Sequence, residues 1–220
     1  MRDLIDKGIV SRGWLGVGIQ DVSNDLAKAF KLKSTKGSLI TGIMQDTPAQ
    51  KADMRKGDVV IRINDKLIQN SNHLRNEIAN AGAYAEIEME LIRDGKTVLL
   101  KLKLDERPNK IVRMKTSPEP TQTTAQVELL GMTVEELTEE NAKQLGIEPG
   151  IGVVISNVKS GSPAEKSGLL PGMIVLEAER QAVRNIDTFK EIINDIDQGK
   201  GILLLIRTSN GSSYLFLKEN

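Results

Sequence analysis

Apolar and charged residues alternate most clearly from Glu86 to Leu91, where Ile87, Met89 and Leu91 interleave with Glu86, Glu88 and Glu90. A period of two marks a half-buried β-strand. Asp94-Gly95 then supplies a hairpin turn, and Val98, Leu100, Leu102 and Leu104 return on one face with Lys101 and Lys103 outside. Upstream the spacing turns helical. Leu26, Ala29 and Phe30 follow Ser23, while Leu74 and Ile78 follow Ser71, which is expected to cap a helix over 72–80 that Gly82 ends. Thr47-Pro48-Ala49 reads as a helix start, with Pro48 at the first helical position where its missing N–H costs little. Strands are expected over 14–19, 38–44, 58–63 and 66–68. These elements predict a small, partly open antiparallel barrel with two or three short helices.

The same order recurs with a shift of 115 residues. Leu15-Gly16 falls on Leu130-Gly131, Gly37 on Gly152, Pro48-Ala49 on Pro163-Ala164, Gly57 on Gly172 and Ile78 on Ile193. Glycines, a proline and apolar residues carry the match, and those are the positions that fix turns and cores. The second copy is expected to open on one strand over 127–134. A helix over 139–145 capped by Thr138 follows, then a strand over 151–158 and a helix from Ser162-Pro163-Ala164 to Gly168. A strand over 173–178, a longer helix within 186–196 and a hairpin around Asn210-Gly211 complete it. Phe189 and Ile193 stand where Leu74 and Ile78 stood. The fold class is mainly β with short helices (α+β), as two partly open β-barrels in tandem.

Between the copies, Pro108, Pro118 and Pro120 with several Thr cannot sustain helix or central strand. The expected organisation is the end of an upstream linker or helix over 1–11, a first domain over 12–105, a Pro/Thr-rich linker over 106–125 and a second domain over 126–220.

Composition narrows the chemistry. Lys+Arg and Asp+Glu both total 30, so no global field draws nucleic acid or an anionic membrane. Cysteine is absent, which removes disulfides and thiolate chemistry. The apolar run Ile202 to Ile206 is too short to span a bilayer. The first ten residues are not expected to be a signal peptide, and this does not exclude export, since the sequence can be a piece of a longer protein.

His73 is the single histidine, and no Gly-x-Ser-x-Gly or comparable nucleophile turn accompanies it, so no catalytic triad is expected. His73 reads instead as an exposed helix residue beside the site. Glu135, Glu136, Glu139 and Glu140 flank a helix start, where acids favour the dipole, and without a His or Cys no metal is expected. Gly16-Val17-Gly18 lacks the third glycine of a dinucleotide loop. Basic residues from Lys101 to Lys115 have no aromatic interleaving, which disfavours nucleic acid. No cofactor is expected.

Ser11-Arg12-Gly13-Trp14-Leu15-Gly16-Val17 resembles the carboxylate-binding loop of PDZ domains in the bacterial HtrA (Do/Deg) serine proteases. So does Ser162-Pro163-Ala164 followed by Gly168-Leu169 and Pro171-Gly172. The resemblance covers nearly the whole chain and implies tandem PDZ domains from the non-catalytic part of such a protease. It also implies a periplasmic or envelope setting, a role in protein quality control, and partners among unfolded-protein C-termini, the protease domain and neighbouring subunits of a homo-oligomer. Two positions depart from the family pattern. Asp53 stands before Met54 where Gly is usual, and Ala178-Glu179-Arg180 replaces the apolar-Asn-Gly/Asp still seen as Ile63-Asn64-Asp65.

A peptide captured by β-augmentation needs backbone N–H groups for its terminal carboxylate, a free strand edge and an apolar pocket. In the first copy the expected loop is Trp14, Leu15, Gly16 and Val17, with Arg12 able to approach the carboxylate. Val17, Gly18 and Ile19 supply the edge, and Leu15, Val17, Leu74 and Ile78 the pocket. The second copy's equivalents are Leu129, Leu130, Gly131, Met132, Val134, Phe189 and Ile193. Leu74, Ile78 and Ile193 serve equally as plain core in so small a domain. The alternative function is an assembly scaffold with little substrate binding.

Overall fold

A computed structural model describes residues 12–106, 127–139, 142, 150–196 and 201–218. The chain divides into two compact units, between Ile111 and Val112. The expected linker from residue 107 on, and nearly all of the helix expected over 139–145, lie outside the described residues, as does the segment before Arg12; Glu106, expected to open the linker, is strand.

The first unit runs β1 (Gly13–Trp14), β2 (Val17–Asp21), α1 (Asn24–Ala29), β3 (Ser38–Ile43), α2 (Pro48–Lys51), β4 (Val59–Ile63), β5 (Lys66–Leu67), α3 (Ser71–Ala81), β6 (Glu86–Arg93), β7 (Lys96–Lys103) and β8 (Asp105–Glu106). Its main sheet has the order β2-β3-β4-β6-β7, with β5 beside β4, and every pairing is antiparallel. β1 leaves that sheet to pair with β8. The sheet does not close. Leu15, Ile40, Val60, Ile63, Leu74, Ile78, Ile87, Met89, Leu91, Leu102 and Leu104 form one buried cluster. The alternation from Ile87 to Leu91 is what sends those side chains inward while the glutamates face out.

Local signals act as their chemistry dictates. Ser23 accepts from the Leu26 N–H and Thr47 from the Gln50 N–H, each as a helix cap. The hairpin between β6 and β7 turns on Asp94 and Gly95, both with positive φ, the twist that a two-residue hairpin needs. Helix α3 begins at its expected cap residue, one position earlier than expected. Asn70 caps it, accepting from the His73 N–H at 2.8 Å, and Ser71 is its first residue. Ser71 is spent otherwise: its N–H donates to Asp21 and its hydroxyl meets that of Ser38 at 3.0 Å.

The second unit runs β9 (Val127–Leu129), β10 (Met132–Glu136), β11 (Val153–Val158), α4 (Pro163–Lys166), β12 (Ile174–Ala178), β13 (Gln181–Ala182), α5 (Ile186–Asn194), β14 (Ile202–Thr208) and β15 (Gly211–Leu217). Its sheet has the order β15-β14-β12-β11-β10-β9, with β13 beside β12. Met132, Val134, Ile155, Val175, Phe189, Leu204 and Ile206 centre its core.

Both family departures are accommodated. Asp53 takes a left-handed φ of 54°, as Gly168 does at 83° in the second unit. Glu179 replaces Asn64 in kind: its carboxylate accepts from the Leu203 N–H at 2.7 Å, where the Asn64 side chain accepts from Glu88 N–H at 2.9 Å. The turn itself differs, because Glu179 and Arg180 both adopt positive φ while Asn64 does so before Asp65 in the first unit.

One expectation of strand continuity fails in each unit. The expected 14–19 strand breaks at Leu15-Gly16, where the chain turns from β1 to β2. The expected 127–134 strand is a hairpin: Leu130 (φ 57°) and Gly131 (φ 80°) form a two-residue turn, and β9 folds back on β10.

Candidate functional site

In the first unit the Leu15–Val17 loop is held from one side. The Leu15 carbonyl accepts from the Ala49 N–H at 3.1 Å, and the Gly16 carbonyl from the Met44 N–H at 2.9 Å. In a trans peptide the N–H points opposite to the C=O. The Gly16 and Val17 N–H groups therefore point away from Ala49 and Met44. Gly16 has φ 79°, and a Cβ there would lie 2.3 Å from Thr47 Cγ2, so glycine is required twice over. Thr47 is itself fixed, donating its hydroxyl to the Met44 carbonyl at 2.8 Å. The result is a rigid turn presenting successive backbone donors on one face, a geometry suited to an anion.

β2 continues from this turn along the end of the sheet, with β3 on one side only. Val17 lies opposite Ile43 while Met44 bonds to Gly16, so Val17 is a non-hydrogen-bonded partner of Ile43. Its N–H and C=O consequently face the outer edge. A bulge between Gly18 and Ile19 increases the twist of this edge. α3 lies near β1 and β2. Leu15, Leu74 and Ile78 are buried in the core, while Val17 and Ile19 are half-buried against it. The first three thus lie within the core and the last two at its margin. Trp14 is half-buried and Arg12 exposed, both next to the turn.

Sequence reading missed a tie between β2 and α3. Asp21, at the end of β2, accepts from the Ser71 N–H at the start of α3 at 2.7 Å. That bond, then the Ser71 hydroxyl and more weakly Arg75, hold the Asp21 carboxyl below the usual aspartate range against a small opposing effect of burial. The signal lay in the repeat: Glu136 falls on Asp21 and Ile186 on Ser71, and Glu136 accepts from the Ile186 N–H at 2.9 Å. Glu136 is therefore engaged at a helix N-terminus, and among the described residues no group of three or more His, Cys, Asp or Glu is placed to hold a metal. His73 accepts from the Gln69 N–H at 3.3 Å and lies 3.6 Å from Glu77, so its ring is engaged along its own helix.

The second unit arranges the same elements differently. The Gly131 carbonyl accepts from the Lys159 N–H at 2.8 Å, and a Cβ on Gly131 would lie 2.2 Å from Ser162 Cβ, so the turn again seats against a helix cap. Yet the edge expected to be free is not. β9 pairs with β10 in the register Met132↔Leu129, Thr133↔Glu128 and Val134↔Val127. Met132 and Val134 are fully buried where Val17 and Ile19 of the first unit are half-buried; Phe189 is fully buried as Leu74 is, and Leu130 and Ile193 are half-buried.

The comparisons agree with this architecture. The PDZ domain family model matches residues 13–104 and the PDZ-like domain model residues 121–198. The chain carries two PDZ domains in tandem. It is similar to the protein named "Probable periplasmic serine endoprotease DegP-like" of Chlamydia trachomatis, at 28% identity over 99% of this chain and 41% of that protein. A protein of the same name from Ectopseudomonas mendocina is 31% identical over 96% of this chain and 44% of its own length. The chain thus spans well under half the length of these relatives, and both family models that match it are PDZ models. A solved structure titled "HtrA-type protease AlgW with decapeptide" aligns with a TM-score of 0.45 at 28% identity, over 50% of this chain and 34% of that one. Among the described residues no helix is long and apolar enough to cross a membrane.

Proposed function

We propose that this chain is the peptide-capturing and regulatory module of a protein-quality-control serine protease acting in the periplasm or cell envelope. The first PDZ domain takes the C-termini or extended segments of unfolded proteins by β-augmentation. The terminal carboxylate sits on the Gly16 and Val17 N–H groups, the peptide adds antiparallel to the outer edge of β2, and its last side chain lies over Leu15, Val17, Leu74 and Ile78. Arg12 adds a charge near the carboxylate. The observation that carries this reading is the Leu15–Val17 turn, whose Leu15 and Gly16 carbonyls are committed to Ala49 and Met44 so that the Gly16 and Val17 N–H groups point the other way, beside the open edge of β2. The module works on its own protease domain and neighbouring subunits, and itself cleaves nothing.

Titration of the chain with an apolar peptide, as free acid and as C-terminal amide, tests the proposal. Trp14, the single tryptophan, lies beside the turn and reports binding by its fluorescence. The free acid is expected to bind at least tenfold more tightly. Equal affinity for the two forms would remove the carboxylate site. Incubation with unfolded casein is expected to yield no fragments.

The pairing of β9 with β10 favours a second reading for the other PDZ domain, as an assembly element that contacts neighbouring subunits and binds little substrate. The same titration counts the sites and so separates a shared task from a divided one.

A further inference from the structure

Gly13 is aligned with Glu128, and the lead-in strands that carry them run differently in the two domains. In the first domain a Cβ on Gly13 would lie 2.3 Å from the Ile78 carbonyl oxygen and 2.7 Å from that of Gly82. Both atoms belong to the backbone at the C-terminal end of α3 and cannot turn aside. Only glycine can pass there, and β1 uses that passage to reach β8. Glu128 carries the Cβ that Gly13 lacks, and its strand takes another course. β9 instead turns back through Leu130 and Gly131, both left-handed, and lies along β10.

From this we infer that the second PDZ domain is closed by its own lead-in strand, with Val127–Leu129 occupying the backbone edge that a captured peptide would use. The register supports the substitution. The Lys159 N–H bonds to Gly131, and Met132 lies opposite Val158, so Met132 presents its N–H and C=O to the outer edge as Val17 does in the first domain. There Leu129 is its partner. β9 is antiparallel to β10, the direction expected of a captured peptide. The side chains beneath are larger as well: Met132 stands for Val17 and Phe189 for Leu74, and Met132 is fully buried where Val17 is half-buried. Opening this groove requires that residues 127–129 be drawn off β10. The segment entering at Val127 therefore acts as the latch, and any event that pulls on it exposes a second edge. This inference rests on the reading of the first groove as a C-terminal peptide site.

Three measurements on the full chain test it. Calorimetric titration with an apolar free-acid peptide is expected to give one site per chain. Hydrogen exchange followed by NMR is expected to show the Met132 amide protected without peptide, and the Val17 amide slowed only when peptide is added. The Leu129→Pro variant removes the N–H that faces Met132 and is expected to gain a second, weaker site. Should that variant lose its second domain, a Glu128→Cys/Thr133→Cys pair serves in its place. These residues are cross-strand partners, the chain has no other cysteine, and the oxidised form is expected to bind one peptide with unchanged affinity. Two sites in the unaltered chain, or a Met132 amide that exchanges as fast as that of Val17 in the free protein, overturns the inference. So does a folded Leu129→Pro variant that still binds one peptide, or an oxidised cysteine pair that binds two. A chain that binds no peptide at all while Met132 stays protected would instead sink the first-groove reading and leave the closure standing.

Discussion

Asp21 Oδ1 accepts the Ser71 N–H at 2.7 Å, tying the last residue of the groove strand to the first residue of the groove helix. Glu136 and Ile186 repeat the tie in the second domain at 2.9 Å, with a longer acid reaching the same donor. The N-terminal N–H groups of a helix have no partners inside it, so a carboxylate there both satisfies a donor and favours the dipole. In the proposed peptide site strand and helix are the two walls, so the bond would also set their separation.

Asp21→Ala is therefore expected to destabilise the first domain by about 1 kcal/mol at neutral pH, the usual worth of an N-terminal cap. Folding lowers the Asp21 pKa, so its contribution is full above the unfolded value near 3.8 and is lost as pH falls through the lower folded value. Urea denaturation of wild type and variant across pH 7 to 2 checks this. The two stabilities should converge at the acid end, and a gap that persists there would mean the carboxylate charge plays no part.

A second carboxylate lies deeper. Asp58 is buried and receives three hydrogen bonds, from the Arg55 N–H at 2.8 Å and from Arg93 Nε and Nη2 at 2.7 Å each. The Asp58 bond raises the Arg93 pKa, with smaller help from the Asp53 and Asp94 charges and a small opposing effect of burial. Arg93→Met leaves Asp58 buried without its counter-charge and is expected to cost about 3–5 kcal/mol. The second domain carries Met173 and Thr208 at the aligned positions and shows how the pair can be dispensed with. The double variant Asp58→Met/Arg93→Thr should recover most of the loss. Thermal unfolding of both variants decides it, and a double variant no better than the single would mean the pair is irreplaceable.

Most of this architecture was legible because the signals are local. The repeat of glycines and the Pro-Ala pair fixed the order of elements, the alternation from Ile87 to Leu91 fixed a strand face, and Thr47 and Ser162 cap the helices their spacing implies. Ties between distant residues were not legible. Nothing near Asp21 announces Ser71, fifty residues on, and only the aligned Glu136 hints that an acid matters there. The hairpin at Leu130-Gly131 was hidden for a subtler reason. The same Leu-Gly pair serves as a corner in one copy and as a full reversal in the other, and in the first copy the corner depends on a glycine beside the carbonyls of Ile78 and Gly82. The Gly13 to Glu128 difference was visible in the sequence, and its steric meaning required the helix end to be in place.

Two glycine substitutions follow from that packing. Gly16→Ala places a Cβ against Thr47 at a left-handed φ, and Gly13→Ala places one against two backbone carbonyls. Each is expected to weaken peptide binding at the first groove at least tenfold, Gly16→Ala by tilting the donor turn and Gly13→Ala by pushing β1 off the end of α3. Trp14 fluorescence titration measures both, with circular dichroism as the check that the fold persists. A Gly16→Ala chain that binds normally would mean that the turn does not hold the carboxylate.

The first groove should outbind the second for two separable reasons, one electrostatic and one steric. Arg12 is exposed beside the carboxylate turn, and a partly exposed charge there is worth at most about 1 kcal/mol, which salt screens. Arg12→Ala is thus expected to weaken binding roughly fivefold at low ionic strength and hardly at all in half-molar salt. The paired edge of β10 carries no such dependence, because it is backbone already hydrogen-bonded to backbone. Titrating wild type and Arg12→Ala at both salt concentrations separates the two. If the Arg12→Ala loss is the same at both, the arginine acts by packing rather than by charge. If high salt makes a second site appear in the unaltered chain, the second groove is closed by charge and not by β9.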